Sequence, residues 1–486
     1  MQSLELASIP YSRFDPGNEV ARAYLAEPES VLRNFAVDYR DPRALKPLLD
    51  APRLRPPLTD LLQEYNAQVG GSVDNARRLG DGFCVVSGQQ VGLLLGPAYT
   101  TYKLFTVINA ARRLEEELGV PVVPVFWVES EDHDWDEVNR FFLDDRKLRL
   151  QTGTAAGTSI RRVEADPAPF LAEVKQALGE GDAWSLVEPA ENEPARWHVR
   201  NLARLVAGSG VVFIEPYLLR EPMRETAGRI AAAPGELDAS LQRDTGFARR
   251  LEPPVGGYFF DSTPPRKRSE RGASLPERWS SDVAVRVLIQ NAALPVLAAV
   301  CGPGEIDYWS QLKQAHEAFG IPMPAVLPRD AATLVEPAAA RDAARLGVAL
   351  DDVVCGVGHL PEAGGGDPVA AGLRKLAAEA GELTAALEQG TLDLPANTDK
   401  PFRRTVKRME EDLERLAGRL DDARRDEAGV GRKRFKRLMT ALRPRGQPQE
   451  RTVSLFPFLL RHGPQLAQQL QAAFDPYEFG HYLVRL

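Results

Sequence analysis

Two hydrophobic patterns divide the chain. Through the first two thirds, short unbroken apolar runs alternate with stretches at helical spacing. Phe83-Cys84-Val85-Val86 is apolar and β-branched and predicts a buried strand. Leu104 to Leu118 carries apolar residues at helical spacing and stops at Gly119, a favourable helix terminus. Val120 to Val128 predicts a second buried strand. Strand, helix and strand in close succession predict a right-handed parallel βαβ unit. Gly210 to Pro216 predicts a third strand, followed by a helix from Leu218 to Ala232. Leu294 to Val300 and Ala325 to Leu327 predict two more. Residues 1 to 80 read as helical and irregular, with one or two amphipathic helices over Leu58 to Leu79.

From about residue 331 the pattern changes. Val369, Leu373, Leu376, Ala380, Leu383 and Leu387 alternate spacings of four and three. After a break from Gly390 to Pro401, Phe402, Val406, Met409, Leu413, Leu416, Leu420 and Ala423 do the same. This is a heptad seam on two helices and predicts an antiparallel helical hairpin or coiled-coil arm. Gly446 to Arg451 ends the arm, and the remainder is expected to return to the core. The reading therefore divides the chain into 1–330, 331–445 and 446–486.

Composition narrows the class. The 486 residues are enough for two or three domains and a large core. A net charge of −8 argues against general nucleic-acid binding. No run approaches the roughly 20 apolar residues of a membrane helix, and Met1 to Asp15 lacks a secretory pattern. Three scattered cysteines, Cys84, Cys301 and Cys355, fit a reducing cytoplasm. Cys355 and His359 lie four apart without a second pair, so no metal site is expected.

The candidate chemistry lies where the strands end. After the first strand comes Ser87-Gly88-Gln89-Gln90, then a glycine-rich stretch through Gly96 and Pro97 to Tyr99 and Lys103. Glycines let a ligand approach the backbone, and helix-start N–H groups favour anions. Tyr99, Tyr102 and Lys103 are spaced to share a helix face. The spacing is neither a P-loop nor a dinucleotide fingerprint. After the second strand comes an acidic run containing Asp132, His133 and Asp134, able to orient an amine or move a proton, or simply to cap a helix. Ligands of open α/β sheets bind beyond the carboxyl ends of strands, where both segments fall. A second glycine turn, Cys301-Gly302-Pro303-Gly304-Glu305, precedes an expected helix bearing Tyr308, Gln311 and Lys313. Packing is the expected role of Cys301. Pro264 to Gly272 is a basic run that reads as a solvated loop or a lid over an anionic substrate.

These blocks together resemble the BshC family of bacillithiol biosynthesis cysteine-adding enzymes. The resemblance rests on Ser87 to Gln90, Gly96-Pro97, Tyr99 to Lys103, Phe126-Trp127 and Ser130 to Asp134. It continues in Gly302 to Glu305, Tyr308-Trp309, Gln311 to Lys313, Met323-Pro324, Pro328-Arg329 and Gln449 to Arg451. It covers essentially the full length. It implies an α/β fold: a Rossmann-like parallel-sheet core with inserted connecting segments and a coiled-coil arm that supports a homodimer. It implies a cytoplasmic ligase joining the cysteine carboxyl to the amine of glucosaminyl-malate. An activated carboxyl is then expected, either a cysteinyl-adenylate made from ATP with magnesium or a donor that arrives already activated. Asp132, His133 and Asp134 are then the catalytic candidates, with His133 or Asp132 as base. Lys103, Arg286 and Lys313 would hold anions. Ser87, Gly88, Gln89, Gln90, Gly96, Tyr99, Gly302, Gly304, Glu305, Tyr308 and Gln311 would complete the binding surface. Partners outside these small molecules and a second copy, whether nucleic acid or membrane, are not expected. Ser87, Cys301, Val287 and Asn291 stand where the family favours Thr, Gly, Pro and Asp. The residues themselves leave open a non-catalytic nucleotide- or sugar-phosphate-binding dimer, or another nucleotidyltransferase.

Overall fold

The computed structural model describes residues 4–54, 56–143, 146–247, 251–269, 278–358, 368–390, 394–395, 398–427 and 432–486. His359 and residues 270–272 of the basic run lie outside them. The chain falls into two compact units, residues 1–334 with 447–486, and residues 335–446.

The first unit is built on a five-stranded parallel sheet. Its strands are β2 (Phe83–Gln90), β3 (Val122–Glu129), β6 (Val212–Ile214), β10 (Val296–Cys301) and β11 (Ala325–Pro328). Their spatial order is β11-β10-β2-β3-β6. Every residue of β3 is buried, as expected for a parallel strand covered on both faces. β2 runs four residues further than the apolar pattern suggested, pairing Ser87 to Gln90 with Phe126 to Glu129. The glutamines therefore end a strand rather than form a turn. The turn proper is residues 91–97. Leu94, Leu95 and Gly96 there all have positive φ. A Cβ on Gly92 would lie 2.6 Å from the Gly96 Cα, so backbone packs on backbone. The crossover helix then runs Ala98–Leu118 and ends on left-handed Gly119.

The chain order makes β2 the start of two windings, one through β3 to β6 and the other through β10 to β11. The topological switch point lies between β2 and β10, and this is where such sheets bind ligands. Val283–Ala293 forms a helix capped by Asp282. The expected helix after Gly302 is broken into Pro303–Trp309 and Lys313–Phe319.

Three of the strands that escaped the sequence pattern pair with one another. β1 (Glu5–Pro10), β12 (Ala331–Val335) and β13 (Gly480–Arg485) form a sheet ordered β1-β13-β12. β1 buries only Ile9, so it carries almost no hydrophobic signal. Two smaller sheets complete the unit. β4 (Arg140–Leu143) pairs with β5 (Arg146–Arg149). β7 (Phe259–Asp261) lies between β8 (Lys267–Arg268) and β9 (Trp279–Ser281), so part of the basic run is a strand.

In the second unit, helices Pro368–Glu388 and Asp399–Glu427 pack on each other. Arg374 pairs with Asp421, near the far end of the partner helix, while Arg403 Nη2 donates to the Leu387 carbonyl at 3.0 Å. Early positions meet late ones, so the pair is antiparallel. The seam is divided. Ala370, Ala377, Ala380 and Leu387 face inward with Val406 and Ala417. Val369, Leu376 and Leu383, and Phe402, Met409 and Leu416, stay 37–61% exposed. Both exposed sets repeat every seven residues, one position round the helix from the buried seam.

Candidate functional site

The carboxyl ends of β2 and β10 open onto a cavity of about 310 Å³ at the switch point. Gly88, Gln89 and Gln90 form one wall and Gly302, Pro303 and Gly304 the other. Ser87 lines it but gives its hydroxyl to the Val300 carbonyl at 2.6 Å, binding β2 to β10. Tyr99, Tyr308, Trp127 and Trp309 supply the aromatic surface. Tyr102 shares the Tyr99 helix but is fully buried against Phe474 and does not reach the cavity.

Lys103 reaches between the two glycine turns. Its buried ammonium donates to the Gly88 carbonyl at 2.7 Å and to Gln89 Oε1 at 3.0 Å. It also pairs with Glu305 Oε2 at 2.5 Å. Glu305 in turn accepts the Gly302 N–H at 2.7 Å, closing the start of its own helix. An ammonium has three N–H donors, and all three have protein acceptors. Lys103 therefore ties the turns together; as an anion holder it would have to give up one of these contacts.

The acidic run divides in the same way. Asp132 lines the cavity, accepting from Gln90 Nε2 at 2.5 Å and from the His133 N–H at 2.7 Å. Burial raises its pKa, but these hydrogen bonds and the charge of Arg266 outweigh burial and hold it below the ordinary aspartate range. Asp134 caps the short helix Trp135–Val138 through the Glu137 N–H. His133 is 44% exposed and accepts from Arg266 Nη1 at its Nδ1, 3.2 Å away. The same Nδ1 lies 3.4 Å from Asp132 Oδ1. Neither His133 nor Asp134 lines the cavity.

Beneath this run lies a buried ionic foundation that the sequence did not reveal. Glu131 pairs with Arg220 and lies 3.6 Å from Arg161. The backbone of residues 130–132 is pinned as well. The Arg161 N–H donates to the Ser130 carbonyl at 2.9 Å and the Ile160 N–H to the Asp132 carbonyl at 2.7 Å. Asp132 thus stands on a rigid base, as a positioned acid or base requires.

Of the other expected residues, Arg286 lines the cavity and pairs with Glu129 at 2.8 Å. Lys313 turns away and donates to the Arg33 carbonyl at 3.2 Å. Gln311 is buried and accepts the Leu251 N–H. Both lie beyond the helix break, which separates them from Tyr308. Gly96 belongs to the tight turn and borders only a small side cavity. Cys301 lines the main cavity, but burial and Glu305 push its thiol well above the usual range, so it packs rather than attacks. Val287 also lines the cavity, and Asn291 bonds to His316 at 2.9 Å behind it.

Four charged residues that the sequence reading placed in motif blocks or runs, without an individual role, stand at the site. Glu129 ends β3. Arg329 follows β11 and is held by both oxygens of buried Glu450 at 2.5 and 3.0 Å. Arg451 lines the cavity, and its guanidinium makes no ion pair or hydrogen bond among the described residues. Arg266 borders a second cavity of about 310 Å³ that shares Glu129, Asp132 and Arg286 with the first. Glu129, Arg329 and Arg451 sit at strand ends or in motif blocks, where position alone was a signal. Among the described residues, no three His, Cys, Asp or Glu side chains converge as a metal-ligand set. No helix there is long and apolar enough to cross a membrane.

Comparison with known proteins gives a concordant picture. A family model described as the N-terminal Rossmann-like domain of bacillithiol biosynthesis BshC matches residues 4–213 and 269–330. The C-terminal coiled-coil domain of BshC matches residues 332–486. The chain is similar to proteins named "Putative cysteine ligase BshC". That of Symbiobacterium thermophilum is 29% identical, covering 84% of this chain and 86% of the relative. That of Geobacillus kaustophilus is 29% identical over 88% and 90%. That of Heliobacterium modesticaldum is 28% identical over 96% and 98%. With both domain models matched in order around this switch-point cavity, the chain belongs to the bacillithiol biosynthesis BshC family.

Proposed function

We propose that the chain is a cysteine ligase of bacillithiol synthesis that joins the cysteine carboxyl to the amine of glucosaminyl-malate. The observation that carries this reading is Asp132, a pinned and ionised carboxylate at the junction of two cavities. An amine that attacks a carboxyl must be held and must lose a proton. Asp132 suits both tasks, accepting hydrogen bonds from the acceptor ammonium and then its proton. His133, the other candidate base, lies outside the cavity lining and meets Arg266 at its Nδ1, 3.2 Å away.

Amide formation from a free carboxylate is uphill in water, so the carboxyl needs a leaving group. ATP, with magnesium carried on its phosphates, is the activating substrate of this reading and supplies an adenylate-like group. The chain fits such an anion through Arg451, whose guanidinium has no acceptor among the described residues, and through the open space at Gly304, where nothing lies within 4 Å of a Cβ. Lys103 and Glu305 keep the two turns at fixed separation. Attack then forms the C–N bond as the carboxyl C–O bond to the leaving group breaks, and the proton passes to Asp132.

A homodimer follows from the same reading. The heptad stripe of Phe402, Met409 and Leu416 beside Val369, Leu376 and Leu383 is an exposed apolar seam of the kind a second helical pair covers. The cytoplasm suits three free thiols.

The test is mass spectrometry of the purified protein with glucosaminyl-malate, cysteine and ATP-magnesium, with ATP omitted in parallel. The expected result is a cysteinyl product that requires ATP and releases AMP and pyrophosphate. Substrate binding without product under either condition would leave a binding protein and sink the ligase.

A further inference from the structure

The second cavity lies between the acidic run, the start of helix Val283–Ala293 and the small sheet of β7, β8 and β9. Three arginines border it. Arg286 is paired with Glu129 at 2.8 Å, and Arg268 lies 3.5 Å from Asp282 while donating to the Gly257 carbonyl at 2.7 Å. Arg266 differs: no carboxylate lies within ion-pair distance among the described residues. Its hydrogen-bond acceptors are neutral. Nε donates to Ser280 Oγ at 3.1 Å, Nη1 to His133 Nδ1 at 3.2 Å and Nη2 to the Ser281 carbonyl at 3.4 Å.

A guanidinium has five N–H donors. Three are used here, so each terminal nitrogen keeps one. The group is also held still, with its face 3.6 Å from the Phe260 ring centroid. A half-buried cation fixed in orientation, with no carboxylate in ion-pair contact among the described residues and with a donor spare on both terminal nitrogens, is prepared for a carboxylate. Burial acts against the Arg266 charge and lowers its pKa despite nearby Glu129 and Asp132. An incoming anion would remove that penalty.

We infer that Arg266 reads a carboxylate of the acceptor substrate, and that the second cavity holds its acidic half while the first holds the cysteine donor. This rests on the ligase reading for the acceptor's identity. Under it, the sugar amine sits at Asp132, where the cavities meet, and the malyl group extends towards Arg266. The substrates then approach the junction from opposite sides. Arg266 is a specificity-determining residue, and the basic stretch that carries it is a fixed wall rather than a passing loop.

The test uses the full chain as wild type, Arg266→Gln and Arg266→Lys, with circular dichroism to check folding. Each is titrated calorimetrically with glucosaminyl-malate, with methyl glucosaminide, which keeps the amine and lacks carboxylates, and with L-malate alone. Turnover gives KM for both substrates. Arg266→Gln is expected to weaken glucosaminyl-malate by about 10- to 100-fold, the range of a lost charged hydrogen-bond pair. L-malate should weaken too, while methyl glucosaminide affinity and the cysteine KM change less than about twofold. Arg266→Lys should recover part of the loss. Equal weakening of both sugar ligands, or a raised cysteine KM in place of the acceptor effect, would overturn the assignment. If wild type binds no glucosaminyl-malate, the ligase reading falls. The L-malate titration still decides Arg266, because equal affinity in wild type and Arg266→Gln removes its carboxylate role.

Discussion

Lys103→Met separates a scaffold lysine from an anion-binding one. Lys103 has a side chain 4% exposed and meets Glu305 at 2.5 Å, the Gly88 carbonyl at 2.7 Å and Gln89 at 3.0 Å. Each charge-assisted hydrogen bond contributes roughly 1.5–3 kcal/mol. Much of that is regained on mutation, because the three acceptors border the cavity and can take water, and methionine no longer buries an ammonium. A net loss of about 2 kcal/mol is expected. Glu305→Gln should cost about 1–2 kcal/mol, since it leaves the ammonium facing an amide. The double variant should be little worse than Lys103→Met alone, giving a coupling of about 1–2 kcal/mol. Urea denaturation, followed by tryptophan emission and circular dichroism, measures all four proteins. Trp127 and Trp309 line the cavity and report its walls. Additivity within about 0.5 kcal/mol would refute the tie. So would a Lys103→Met protein of unchanged stability whose only defect is a raised substrate KM.

Three further outcomes are expected. Asp132→Asn should lower kcat about 100-fold or more with the fold intact, as loss of a proton acceptor does. Because the folded pKa of Asp132 lies below its unfolded value, its ionised form stabilises the protein above pH ~4, and that contribution disappears as the pH falls through the folded pKa; the stability gap between variant and wild type should close on acidification. Asp330 behaves oppositely. Burial drives its pKa to about 7, so ionisation opposes folding as the pH climbs from the unfolded value towards 7; Asp330→Asn should raise the thermal midpoint at pH 8 and lose that advantage near pH 4. In the arm, Met409→Glu should convert a dimer to a monomer in sedimentation velocity without changing helix content.

The parallel core was legible because its strands are unbroken apolar runs, and β3 is buried along its whole length. Strand ends located the cavity, since Gly88, Asp132 and Gly302 all follow from position. The charge partners were not legible. Arg286 meets Glu129, and Arg329 meets Glu450, across long stretches of chain that no local spacing reveals. Lys103, Lys313 and Gln311 illustrate the limit. Each residue type fits a ligand site, yet only the folded backbone decides whether its donors point to a substrate or a carbonyl. The same holds for β1, whose exposed side chains give no periodic signal although its backbone is fully paired with β13. In the arm, heptad spacing identified the helices but could not say which half of the apolar positions faced inward.

The pairing of β1 with β13 also sets an order of events. Glu5 lies opposite Arg485 and Pro10 opposite Gly480. A ribosome making this chain releases β1 about 470 residues before β13. Until then the early strand has no partner on that edge, and the buried Arg329 guanidinium also waits for Glu450. The parallel sheet can assemble once β11 has emerged, but its supporting sheet cannot. The nascent core is therefore exposed as an unfinished edge throughout synthesis of the helical arm. The short, weakly patterned sequence of β1 suits that interval: with Glu5 at its start, Ser8 among its apolar residues and Pro10 at its end, it offers little to the wrong partner.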